Sequence, residues 1–172
     1  MGDVAAEQFQ QFVAGRGDRL FRVALALTGG HHAAEDLLQE ALARTYVRWR
    51  QVRGEPETYV RRVMYNTRAS AWRRMRGREV LYDAVPERAQ VGDATGAVDS
   101  RLMVRRALLR LGPRQRAVLV ARFFEDLSDV ETAALLGCSA STVRSQTHRA
   151  LARLREVAPE LKDHCAIREG LR

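Results

Sequence analysis

Apolar residues recur at every third or fourth position along almost the whole chain, and the strict alternation of a half-buried strand is nearly absent. That period sets the fold class as all-α, since only a helical repeat collects residues so spaced onto one face. In AEDLLQEALARTYVRW, Ala34 to Trp49, one face carries Ala34, Leu37, Leu38, Ala41, Leu42, Thr45 and Trp49. Upstream, Phe9, Phe12 and Val13 predict one helix, and Leu20, Phe21, Ala24 and Leu27 a second, stopped by Gly29-Gly30. Downstream, Gly54-Glu55-Pro56 punctuates the chain, and a further helix is expected from about Glu57 to Arg76.

The character then changes. LYDAVPERAQVGDATGAVDS, Leu81 to Ser100, holds Pro86, Gly92 and Gly96, few large apolar residues and an acidic balance, which reads as a linker. Helices resume at Ser100, with Asp99 or Ser100 as cap, and again at Pro113, a favoured first-turn residue after Gly112. The expected architecture is two small helical domains, 1–80 and 101–158, joined by a flexible acidic linker, 81–100. The tail, 159–172, carries no motif and is expected to be disordered or loosely docked.

Charge narrows the partners. The 29 basic residues exceed the 21 acidic ones, giving a formal net charge of +8 and a pI near 10.6, with Lys162 the only lysine. A polyanion, nucleic acid above all, is the natural partner. Cys138 and Cys165 give neither a disulfide framework nor a metal spacing. No apolar run approaches the roughly 20 residues of a membrane span, and MGDVAAEQFQQF lacks a signal peptide's apolar centre, so a cytoplasmic protein is expected.

The stretch LSDVETAALLGCSASTVRSQTHRALARLR reads as a helix-turn-helix. Ser128 and Glu131 form a capping box, Ala133, Ala134 and Leu136 supply a small apolar face, Gly137 permits the turn, and Ser139 caps the next helix. On that helix Val143, Thr147, Ala150 and Leu154 share one side. Ser141, Arg144, Ser145 and His148 take the other, flanked by Thr142, Gln146 and Arg149, with no acid between Ser139 and Arg155. Short hydroxyls, Arg and Gln on one front suit the major groove, where they reach base edges and phosphates.

A second basic element lies in PETYVRRVMYNTRASAWRRMRGRE, where Arg61 to Arg78 includes seven arginines and no acid. Val60, Val63, Met64, Thr67, Ala71 and Met75 form the expected buried stripe. Tyr59, Arg62, Asn66, Ser70 and Arg73 make a second face, and Arg61, Tyr65, Arg68, Trp72 and Arg76 a third. Rings interleaved with guanidiniums suit unstacked DNA, or they simply close a core.

In order and spacing these segments resemble bacterial sigma factors of the extracytoplasmic-function (ECF) group, particularly the short actinobacterial type. LALTGGHHAAEDLLQEALARTYVRW is similar to that family's core-binding region, YVRRVMYNTRASAWRRMR to its −10 segment, and LGPRQRAVLVARFFEDLSDVETAALLGCSASTVRSQTHRALARLR to its −35-reading domain. The resemblance implies that Asp36, Gln39 and Glu40 meet the β′ clamp helices of core RNA polymerase, with further contacts to the β subunit. It implies that the loop from about Gln51 to Pro56, with Tyr59, Arg62, Asn66, Trp72 and Arg73, holds the −10 DNA and an extruded base. Ser141, Thr142, Arg144, Ser145, Gln146, His148 and Arg149 fall to the −35 element, and the acidic linker to the RNA exit path. Promoter DNA and core polymerase are the implied partners, with room for an anti-sigma factor; no membrane, cofactor or metal is called for.

Two other readings stand beside this one. A free-standing helix-turn-helix repressor or activator explains Leu127 to Arg155 but gives the acidic and the Arg/Trp helices no work. An enzyme finds thin material: no phosphate loop, nucleophile elbow or Cys/His cluster appears. His31, His32 and Glu35 mimic metal ligands, but adjacent histidines are expected to point apart on a helix.

Overall fold

The computed structural model describes residues 2–75, 96–159 and 161. All regular elements among them are helices, as the periodicity predicts. α1 (Gly2–Thr28) and α2 (His31–Val47) form a helical hairpin, a short 3-10 turn follows at Trp49–Gln51, and α3 (Pro56–Met75) completes the first half. α4 (Gly96–Leu109), α5 (Pro113–Leu119), α6 (Asp129–Leu136) and α7 (Ala140–Val157) make the second.

α1 is one helix of 27 residues, where the sequence suggested two. Gly15 and Gly17 sit in the gap between the two apolar runs. Each costs a helix about 1 kcal/mol relative to alanine, but neither reverses the chain, and Phe12, Leu20, Val23, Ala24 and Leu27 continue one inward stripe. The real stop is Gly29, whose φ of +81° lets the chain turn into α2. α3 opens with Pro56 in its first turn, where the missing N–H is no loss.

α4 begins at Gly96, inside the segment expected to be linker. Asp99 and Ser100 therefore lie within the helix and not at its start. The rest of the expected linker, and the tail including Cys165, lie outside the described residues, although Leu161 is buried.

α5 passes without a break into a π-helical turn, Val120–Phe124, closed by Glu125 N–H donating to Val120 O at 3.0 Å. α6 buries Thr132, Ala133 and Leu135 and leaves Ala134 exposed. The expected Ala133–Ala134–Leu136 face is thus rotated, because Ser128 fixes the helix start and the i, i+3 pair Thr132–Leu135 turns inward. On α7, Val143, Ala150 and Leu154 are buried as expected, joined by Leu151 and Val157.

The two halves pack on one another. Leu20, Leu27, Val60, Met64 and Tyr65 of the first half share a continuous apolar cluster with Leu108, Leu119, Val120 and Ala121 of the second. α1 and α3 lie against α5, the π turn and α6.

Candidate nucleic-acid interface

The start of α7 is set by three linked caps. Ser128 Oγ accepts from Glu131 N–H at 3.2 Å while Glu131 Oε2 accepts from Ser128 N–H at 2.7 Å, which fixes α6. These bonds hold the Glu131 carboxyl below the usual carboxylate range. Gly137, at φ +66°, makes the turn, and Ser139 Oγ accepts from Thr142 N–H at 3.1 Å. The outer front of α7 then presents Ser141, Thr142, Arg144, Ser145, His148 and Arg149, all exposed, with Gln146 half-buried at its edge. Ser139 Oγ lies 2.9 Å from Ser141 Oγ and 2.8 Å from Thr142 Oγ1, so the first hydroxyls form one hydrogen-bonded group.

Arg144 and His148 also border a shallow hollow of about 390 Å³, whose wall includes Arg122, Asp129 and Arg155. Arg122 pairs with Asp129 at 3.0 Å and donates to the Leu127 carbonyl. Sequence reading missed Arg122. It lies in the π turn, and only the fold carries it to α7.

On α3 the predicted faces part company. Arg62 and Asn66 are exposed, and Tyr59 is half-buried beside them. Trp72 and Arg73 belong to α3 by backbone, but their side chains lie outside the described residues. Tyr65 is 1% exposed, and Arg61 turns with it toward the second half of the chain. Their face closes a core.

α2 turns Ala34, Leu37, Ala41 and Thr45 inward and leaves Glu35, Asp36, Gln39 and Glu40 exposed. Asp36 and Gln39 rim a shallow groove between α1 and α2, about 610 Å³, with Phe9, Phe21, Leu38, Leu42 and Tyr46 along it. Glu40 is not on that rim and pairs with Arg44 at 2.5 Å. His31 and His32 do not point apart: each Nδ1 lies 3.4 Å from a Glu35 oxygen. The longer carboxylate side chain, three and four residues on, lies between the two rings and meets both. All three are exposed.

Two family models match the chain: Sigma-70 region 2 over residues 12–79, and Sigma-70 region 4 over residues 101–154. The RNA polymerase sigma-E factor of Streptomyces coelicolor is 44% identical to it, the match covering 98% of this chain and 96% of that protein. The chain belongs to the sigma-70 family, in its ECF group. An ECF RNA polymerase sigma factor, SigE of Mycolicibacterium smegmatis, is 36% identical over 90% of this sigma factor and 63% of its own length. Among solved structures, the sigma factor RpoE of Bartonella quintana, in complex with the anti-sigma factor NepR, superposes with a TM-score of 0.66. That match is 26% identical and covers 88% of this chain and 96% of that one. As a sigma factor, the protein binds RNA polymerase and promoter DNA and directs promoter-specific transcription. The region 2 match gives the first half its work, and the free-standing regulator is not favoured.

Proposed function

We propose that the three exposed surfaces divide the work of initiation. The Asp36–Gln39 rim, with Glu40 beside it, docks on the β′ clamp helices of core polymerase, and the second half adds contacts to the β subunit. Residues 1–80 then form the polymerase-binding and −10 domain, the stretch from 81 to the start of α4 at Gly96 the tether along the RNA exit path, and α4 onward to 158 the −35 domain, leaving 159–172 without a role. Tyr59, Arg62 and Asn66, with Trp72 and Arg73, take the −10 strand. Ser141, Thr142, Arg144, Ser145, Gln146, His148 and Arg149 take the −35 duplex.

One observation carries the reading. Acids would repel phosphate, yet Glu35 and Asp36, with the neutral Gln39, edge an apolar groove on a chain of net charge +8, a surface suited to a protein and not to DNA. Basic and hydroxyl side chains gather instead on α3 and α7. Pull-down of core polymerase tests the division: Asp36→Arg loses the polymerase while keeping helix content and −35 duplex binding. Retention of polymerase by that variant contradicts it. The Bartonella neighbour's anti-sigma complex supports a similar partner here, one that competes with polymerase for these surfaces.

A further inference from the structure

The histidine pair at the start of α2 is left without work by the three surfaces of initiation. His31 and His32 open the helix, and Glu35 follows four and three residues on, so the three side chains converge over its first turn. His31 Nδ1 stands 3.4 Å from Glu35 Oε1, and His32 Nδ1 stands 3.4 Å from Glu35 Oε2. One ligand atom from each residue lies within 4.8 Å of the other two. Among the described residues, no other three histidine, cysteine or carboxylate side chains gather in this way.

These distances separate two accounts of the cluster. A ring N–H donating to a carboxylate stands roughly 2.7–3.2 Å from it, so 3.4 Å is long for a hydrogen bond. Ligand atoms about 2.0–2.2 Å from a tetrahedral ion stand ~3.3–3.6 Å from one another. Both histidine–carboxylate separations fall in that interval. The third edge, between the rings, is at most 4.8 Å. Phe21 steadies the His31 ring, edge to face at 5.0 Å, so the exposed His32 ring is the one that closes the edge by a change of rotamer.

The donor set names the class of ion. Two imidazoles and a carboxylate suit zinc, nickel and copper(II), whereas magnesium and calcium take sets of oxygens. The helical spacing agrees, since residues at i and i+4 on one face are how a helical H-E-x-x-H segment holds zinc. The positive end of α2 works against a cation, but that field is weak at an exposed terminus, and Glu35 sets a full charge against it.

Position gives such an ion a consequence. Glu35 also lines the groove between α1 and α2, together with Phe21, Asp36 and Gln39. A divalent ion on Glu35 turns that end of the rim from acidic to basic and leaves Asp36 as the one acid lining the groove. We propose that His31, His32 and Glu35 bind a divalent transition ion of the zinc class, and that the bound ion weakens docking of core polymerase on the adjoining groove. The coupling rests on the assignment of that groove to polymerase. The metal site stands without it.

Calorimetric titration of the metal-free full chain with Zn2+ tests the site. His32→Ala and Glu35→Ala are expected to bind the ion at least about tenfold more weakly than wild type, with helix content unchanged. Glu35→His exchanges one ligand for another at i+4 and is expected to keep the ion, which a cation held by the Glu35 charge alone would not survive. Cys138, His148, His164 and Cys165 are the same in every variant, so zinc taken up there cancels in the comparison. Equal affinity in wild type and His32→Ala overturns the site, as does a loss in Glu35→His as complete as in Glu35→Ala. Pull-down of core polymerase with and without saturating Zn2+ tests the coupling. Wild-type retention is expected to fall several-fold with zinc, and His32→Ala retention to stay level. The same response in both chains overturns the coupling. A wild type that takes up no polymerase even without zinc marks a failure of the groove assignment and fells the coupling with it, while the titration still decides the site.

Discussion

Glu125 carries its charge in a place that resists charge. Burial raises its carboxyl above the ordinary 4.5, although the Tyr65 hydrogen bond and the Arg61 and Arg19 charges pull it back down. Glu57 nearby adds to the rise. A carboxyl with a raised pKa binds its proton more tightly when packed than when free, so packing weakens as pH climbs through that raised value and strengthens as pH falls toward 4.5. Acidification from neutrality toward about pH 5 therefore tightens the contact between the halves. Denaturation midpoints compared with Glu125→Gln check this: the wild type gains on the variant as pH drops, and a relative loss contradicts it. At the DNA surfaces, Arg144→Ala is expected to weaken −35 binding by roughly 1–3 kcal/mol and relax base preference, read by duplex titration. Asn66→Ala slows promoter opening more than closed-complex formation; equal effects on both steps, in stopped-flow kinetics, remove Asn66 from base trapping.

Among elements, α6 and α7 were the most legible, because their ends are written in local chemistry. Ser128, Glu131, Gly137 and Ser139 each act within three residues of themselves, and the structure shows every one of those bonds or turns. Ser128→Ala removes the reciprocal pair and lowers stability by about 1 kcal/mol, measurable by urea denaturation. An unchanged midpoint places α6 under tertiary control alone. α1 was misread because two glycines interrupt its apolar pattern without interrupting its backbone. The start of α4 was misread because a segment rich in small and acidic residues looks like a tether, although its backbone is helical from Gly96. His31 and His32 were misjudged for a simpler reason: the angle between neighbours on a helix says nothing about a flexible carboxylate that reaches both.

At the scale of the whole molecule, the sequence told which surfaces exist but not how they are arranged. Arg61, Tyr65 and Arg68 carry the composition of a DNA-tracking face, and that is how they read in isolation. Their partner, Glu125, lies 60 residues away from Tyr65 and belongs to a π turn that no periodicity announces. Arg116 is similarly opaque, since its carbonyl partners on α1 are 88 and 89 residues distant. The acidic front of α2 was legible for the opposite reason: its helix supplies both the apolar anchor and the outward acids within 17 residues. On the proposed division of surfaces, that front is what separates a polymerase subunit from a simple DNA-binding regulator. Run-off transcription on a genomic promoter library, with core polymerase and either the wild type or Asp36→Arg, tests this most directly. The wild type is predicted to start transcripts at sites sharing one −35 and one −10 sequence, and Asp36→Arg at none. Equal initiation by the variant, or tight promoter footprints without polymerase and no initiation with it, would contradict the account.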